Sequence, residues 1–286
     1  MKSLFSLIAL IAMSTATMAQ ASAIYGDVDG DGFVTSSDIT ALYSYFLDGD
    51  MTNFANCDVD GDGSVNSYDI TEVYNILLGI APSGDNHEYV DLGLPSGTLW
   101  ATMNIGASSP EEFGEYFAWG ETTSKEVYDW STYQWCNGRW NTMTKYCTIT
   151  AHGYNGFVDD KTELDPEDDA ATANWGSEWC MPSKEQQDEL RSKCTWQWTT
   201  RNGVNGYLVT SKQNGESIFL PAAGYSFGVQ TTPYSTGSQG YYWSRTLYPT
   251  KSYQADYFWF YSNNVDWYYG DRDTGYSVRA VRVSQK

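Results

Sequence analysis

The 286-residue chain sets 36 acidic against 16 basic side chains, for a net charge of −20, and carries 12 Trp, 23 Tyr and 11 Phe. Nucleic acid and anionic lipid surfaces are excluded as partners, because both would be repelled by such a balance. The length suits one small and one larger domain.

Lys2, an apolar run from Leu4 to Met13 and small residues ending Ala21-Ser22-Ala23 lay out a secretory signal peptide over residues 1–23. Cleavage after Ala23 or after Ala19 fits equally well. The run is too short to span a bilayer, and no later stretch is long and apolar enough to do so. The expectation is a secreted or cell-surface-associated protein that does not span the membrane.

The stretch GDVDGDGFVTSSDIT, Gly26–Thr40, recurs 31 residues further on as CDVDGDGSVNSYDIT, Cys57–Thr71. Oxygen-bearing side chains fall at loop positions 1, 3, 5, 9 and 12. They are Asp27, Asp29, Asp31, Thr35 and Asp38 in the first copy, and Asp58, Asp60, Asp62, Asn66 and Asp69 in the second. Gly32 and Gly63 stand at position 6, and Phe33 and Ser64 at position 7 would give backbone carbonyls. This is the ligand schedule of a 12-residue calcium loop, so two Ca2+ ions are expected. Asp rather than Glu at position 12 departs from the EF-hand pattern. Ile39, Leu42 and Phe46, and again Ile70, Val73 and Leu77, recur at helical spacing, so one helix should follow each loop. No helical pattern precedes either loop.

Two loop-helix units with Asp at position 12 resemble a type I dockerin, with domain limits at residues 24–80. The resemblance implies docking to a cohesin domain of a scaffold or surface protein. It also implies partner choice at positions 10 and 11, which are Ser36 and Ser37 in one copy and Ser67 and Tyr68 in the other. Calcium that merely stabilises an appendage is the competing reading.

Residues 81–87 close a Pro/Gly/Ser linker that begins in GIAPSGDN, Gly79–Asn86. Beyond it, HEYVDLGLPSGTLWATMNIGA reads as two strands around a Leu-Pro-Ser-Gly turn, and Ser109–Glu112 opens a brief helix. Ser183 with Gln186 predicts a capping box for a helix to about Lys193. TWQWTT, YLVTSK and SIFLPAAG are strand-like runs separated by Asn-Gly turns, followed by strands near YYWSRTL, ADYFWFYS and SVRAVRV. Five cysteines leave one unpaired in an exported chain. Local pairing would join Cys136 to Cys147 and Cys180 to Cys194, one of three connectivities, and unbridged thiols remain open.

YVDLGLPSGTLWAT, GEYFAWGET, EDDAATANWG, GVNGYLVT, IFLPAAGY, GYYWS and GYSVRAVRV, in that order, resemble the Fibrobacter succinogenes major paralogous domain of exported Bacteroidetes proteins. The resemblance covers about residues 88–284, within a domain with limits at 88–286. It implies a fold related to C-type lectins and formylglycine-generating enzymes, and no particular activity. Met103 stands where that family frequently has Cys, and Cys180 where it has Arg. The expected fold class is therefore α+β multidomain, a small all-α dockerin followed by an irregular β-rich, C-type-lectin-like domain.

Catalytic signals are weak. His87 and His152 are the two histidines, no Gly-x-Ser-x-Gly elbow exists, and no cysteine follows Cys194. The lectin-type Glu-Pro-Asn, Gln-Pro-Asp and Trp-Asn-Asp calcium-sugar motifs are missing. The acidic run Asp159–Ala170 lacks the alternating ligand schedule and reads as a loop capping a helix at Asp168–Trp175. Aromatic and small polar residues are dense between Tyr241 and Tyr276, and SNNVDWYYGDRDTGY, Ser262–Tyr276, reads as a turn-rich loop. Tyr241, Tyr242, Ser262, Asn263, Asn264, Asp266, Trp267, Tyr268, Tyr269, Asp271 and Asp273 are therefore candidate contacts for an unidentified glycan or protein ligand. Trp243, Phe258 and Phe260 alternate with polar neighbours and fit a core equally well. The leading expectation is a docked ligand-binding module rather than an enzyme. A polysaccharide-active component of a scaffolded complex, or a surface or fimbria-like structural component, are the alternatives.

Overall fold

The computed structural model describes residues 26–48, 57–59, 65–78, 87–229 and 232–283. The signal-peptide expectation, Asp60, Asp62, Gly63, Ser64, the Tyr68 side chain and linker residues 81–86 lie outside the described residues. The chain divides between residues 83 and 84 into two compact units, the first helical and the second mixed but mostly strand.

In the first unit, α1 (Ser36–Asp48) and α2 (Ser67–Leu77) follow the two acidic loops. Its core repeats with the sequence: Val28 and Val59, Ile39 and Ile70, and Leu42 and Val73 are buried in matching positions, with Val34, Val65, Tyr45 and Ile76 packed around them. Gly26 and Cys57 also correspond. Gly26 has φ +88°, and a Cβ there would come within 2.6 Å of Ile76 Cδ1, whereas Cys57 fills its place in the other copy. The apolar spacing correctly marks the first two positions of each helix face. Phe46 and Leu77, the third, are exposed, because both helices run on past the small core.

In the second unit the chain ends meet. Strands β1 (Tyr89–Asp91), β2 (Thr98–Ala101) and β11 (Val281–Val283) form one antiparallel sheet with β2 in the middle. A second sheet is the meander β4 (Cys194–Arg201), β5 (Val204–Ser211) and β6 (Ser217–Pro221). Asn202 and Gly203, both at positive φ, make the tight two-residue β4–β5 connection that Asn-Gly predicts. The third sheet is β8 (Gln239–Leu247), β9 (Gln254–Tyr261) and β10 (Asn264–Asp271), with β9 central. Strands β3 (Val127–Tyr128) and β7 (Gly228–Val229) form a small pair. Among the described residues of this unit, α-helix α3 (Ala170–Trp175) is capped by Asp169, and α-helix α4 (Lys184–Lys193) starts at the expected capping box of Ser183 and Gln186.

Three expectations change. Ser109–Glu112 is a single turn, not a helix: Glu115 N–H returns to Ile105 O, and at Gly114 (φ +68°) a Cβ would collide with that same carbonyl. The segment from Ser262 onward, expected as a turn-rich loop, is mostly strand β10, reached by a two-residue hairpin. The proposed cysteine pairs do not form; none of the five cysteines is in a disulfide, in agreement with the unbridged alternative. Trp243, Phe258 and Phe260 are core residues.

Two arginines sit inside this unit. Arg272 donates to Tyr133 Oη (2.8 Å), Tyr146 O (3.0 Å), Ser252 O (2.6 Å) and Lys145 O (3.1 Å), with Trp119 under its guanidinium. Arg279 donates to Asn104 Oδ1, Ala101 O, Thr102 O and Phe219 O at 2.8–3.1 Å, so β2, β6 and the chain end are tied at one point. Burial pushes the Arg279 guanidinium down to about 10.

Candidate calcium centre and ligand surface

The first acidic loop is shaped by its own carboxylates. Thr35 Oγ1 accepts Ser37 N–H (3.1 Å) and Asp38 Oδ2 accepts Thr35 N–H (2.7 Å), a reciprocal cap that starts α1. Asp38 Oδ1 also accepts Val28 N–H (2.7 Å) and Asp29 N–H (3.1 Å), which closes the loop onto the helix start. Asp69 repeats the arrangement, taking Val59 N–H and Asn66 N–H at 2.7 Å each. The carboxylate at position 12 is thus both a helix cap and a loop clasp.

Carboxylate oxygens of Asp27, Asp29 and Asp38 lie within 4.8 Å of one another. Asp27 Oδ2 accepts Gly32 N–H (3.0 Å), while its Oδ1 is buried with no hydrogen-bond partner. A buried unpaired carboxylate oxygen facing two further carboxylates is strongly unfavourable unless a cation sits there. No Lys, Arg or His occurs between residues 26 and 78 to supply that charge. Hard oxygens on a glycine-bearing turn fit Ca2+. Asp31 is exposed, accepts Phe33 N–H and stands apart from the group of three carboxylates, while Thr35 Oγ1 accepts the Ser37 N–H of the helix cap. In the second copy Asp58, Asn66 and Asp69 are described. Ser36, Ser37 and Ser67 are exposed at the helix starts.

The expected ligand contacts of the second unit separate by strand face. Tyr242 and Asp273 are buried, a correction to their placement on a contact surface. Tyr242 lies against Phe260 and donates to Pro221 O (2.7 Å), because its strand position faces the core. Asp273 is folded into the loop after β10, where burial and the neighbouring Asp271 carboxylate push it up to about 7. Trp267 packs edge-on to Phe258 and donates to Asp188 Oδ1 (3.1 Å), and Asp266 pairs with Arg191 (3.3 Å). Tyr269 stacks on Tyr248 at 4.1 Å. Asp271 accepts Gln254 Nε2 (2.8 Å). Ser262 and Asn263 are exposed in the hairpin, with Asn264 half-buried beside them.

Tyr241 and Tyr268 lie on the sheet face opposite Tyr242, Trp267 and Tyr269, and Asp266 shares their face, directly across from Trp259. They join residues that sequence reasoning did not name, namely Tyr225, Tyr234, Gln239 and Trp259. The available signal was the period-two alternation of Tyr257, Trp259 and Tyr261 against Phe258 and Phe260. His87, stacked on Trp175 at 3.7 Å and lowered to about 4 by burial, stays neutral as a structural residue.

No curated protein and no solved structure matches the chain. Residues 203–281 match the model of a domain of unknown function (DUF8237). Residues 25–78 match that of the Dockerin type I domain, so the chain carries at its N-terminus a type I dockerin, a calcium-binding module that docks to cohesins.

Proposed function

We propose that the chain is an exported adaptor, whose dockerin holds two Ca2+ ions and docks to a cohesin on a scaffold or surface protein while residues 88–286 present a ligand-binding domain. The limits are a signal peptide at 1–23, the dockerin at 24–80, a linker at 81–87 and the larger domain at 88–286. That larger domain is of the C-type-lectin-like kind, related to the Fibrobacter succinogenes major paralogous domain. The support is its ordered motifs, from YVDLGLPSGTLWAT to GYSVRAVRV. Calcium in each loop would be held by Asp27, Asp29, Asp31, Phe33 O, Thr35 and Asp38, and by Asp58, Asp60, Asp62, Ser64 O, Asn66 and Asp69. Ser36, Ser37, Ser67 and Tyr68 would set partner choice. Among the described residues no helix is long and apolar enough to cross a membrane.

The single observation that carries this reading is the converging Asp27–Asp29–Asp38 carboxylates with the unpartnered Asp27 Oδ1. Calorimetric titration of the chelated chain should give two calcium sites, one of them lost in Asp27→Ala and the other in Asp58→Ala. Immobilised cohesins of the source organism should capture the chain in calcium and release it in chelator. Capture that ignores chelator sinks the docking part.

A further inference from the structure

We propose that the aromatic face of the β8–β9–β10 sheet binds an uncharged polysaccharide, laid along a row of tyrosine and tryptophan rings. The inference rests on the ligand-binding reading above and names its ligand class. Ring centroids step from Tyr234 to Tyr225 over 5.3 Å, from Tyr225 to Tyr241 over 5.0 Å, and from Trp259 to Tyr268 over 6.5 Å. Gln239 couples the two segments, because its Oε1 accepts both Tyr241 Oη–H (2.5 Å) and Trp259 Nε1–H (2.9 Å). The inner rings rest on Tyr257 and Tyr276, which are buried below them. The row is therefore held in place before any ligand arrives, and little side-chain freedom is lost on binding. Its ends are open: Tyr268 is 54% and Tyr234 45% exposed.

Charge and shape choose the occupant. None of the six residues bears a formal charge, the one carboxylate across from Trp259 on this face, Asp266, is paired with Arg191, and the chain as a whole is strongly acidic, so an anionic polymer is repelled. The negative ring faces attract the weakly positive C–H bonds that line one side of a pyranose. The Gln239 amide nitrogen, with both neighbours bound to its oxygen, is left to donate to a hydroxyl. A protein hot spot is a compact, fully desolvated cluster of anchors, whereas this row is linear and exposed at both ends. Its extent over several rings suits a chain of sugars rather than one.

Affinity gel electrophoresis of the full chain in calcium tests this, with mixed-linkage β-glucan, xylan and galactomannan as neutral probes and polygalacturonate as the anionic one. At least one neutral glycan should retard the wild type, and polygalacturonate should not. Tyr268→Ala and Tyr234→Ala, both at exposed rings, should each weaken that affinity by about tenfold. Gln239→Glu keeps the acceptor but removes the donor and adds charge, and should weaken it further while near-ultraviolet circular dichroism stays unchanged. No retardation by any neutral glycan overturns the proposal, as does retardation unaffected by the three changes. A parallel selection with a random peptide phage library separates the two readings. Peptides that bind the wild type but not Tyr268→Ala, without glycan retardation, overturn the sugar and keep the ligand-binding domain. Rings indifferent to both glycan and peptide overturn both.

Discussion

The dockerin and the larger unit treat buried charge in opposite ways. In the first, carboxylates converge on one point, and residues 26–78 hold no basic side chain to offset them. Its core is a handful of Val, Ile, Leu and Cys side chains. In the second, the buried charges at Arg272 and Arg279 are surrounded by carbonyls and rings of the unit itself. Two tryptophan-rich clusters pack around them. One unit is completed by an ion from solution, and the other satisfies its buried arginines from within. A domain this small with an uncompensated acidic site has too little buried area to fold alone.

Chelation should separate the two most sharply. With excess EGTA the dockerin helices should melt, seen as lost far-ultraviolet ellipticity, while the larger unit keeps its near-ultraviolet spectrum and its calorimetric transition. A chelated chain with both transitions intact would erase the contrast. Next in size, Arg272→Met leaves the Tyr146, Ser252 and Lys145 carbonyls without their donor. With each orphaned buried carbonyl costing about 1–3 kcal/mol, the change should cost at least about 3 kcal/mol in the larger unit, read from denaturant unfolding, with calcium affinity unchanged.

Asp273 sharpens the comparison from the acid side. Its carboxyl, raised from the usual 3.8 to about 7 by burial and then by Asp271, holds a proton in the folded unit that the unfolded chain has already lost. Its contribution is therefore complete below about pH 4 and is lost as pH rises toward 7. Asp273→Asn should flatten that fall, gaining at most about 4 kcal/mol over wild type at pH 8 relative to pH 4. Dockerin acids bound to calcium should show the reverse slope, losing the ion as pH falls. The smallest effect is Ser183→Ala, which removes one cap of α4 and should lower the larger unit's stability by about 1 kcal/mol.

Local signals were legible in the sequence, and long-range ones were not. The doubled loop, the helices after it and the Ser183–Gln186 box depend on neighbours within a few residues, and the chain writes them openly. Strand β10 reads as part of a turn-rich loop because Asn, Asp and Gly make up half of it, although Val265 and Trp267 carry its inward face. The sockets of Arg272 and Arg279 draw acceptors more than 100 residues away, which no spacing rule reaches. For the same reason their own stretch points Tyr242 and Asp273 toward a surface contact. Their burial comes from Phe260, Pro221 and the packed loop rather than from their own stretch. The aromatic face was half legible: Tyr241 and Tyr268 were named, but Tyr225 and Tyr234 join them only through the fold.

The five unbridged thiols give the protein a history independent of oxidants. Cys57, Cys147 and Cys194 are buried, and burial pushes the Cys194 thiol up to about 11, far from the reactive thiolate. The chain needs no disulfide isomerase to reach its fold. Recombinant protein from a reducing cytosol should match exported material, and dithiothreitol should leave its melting temperature where it was.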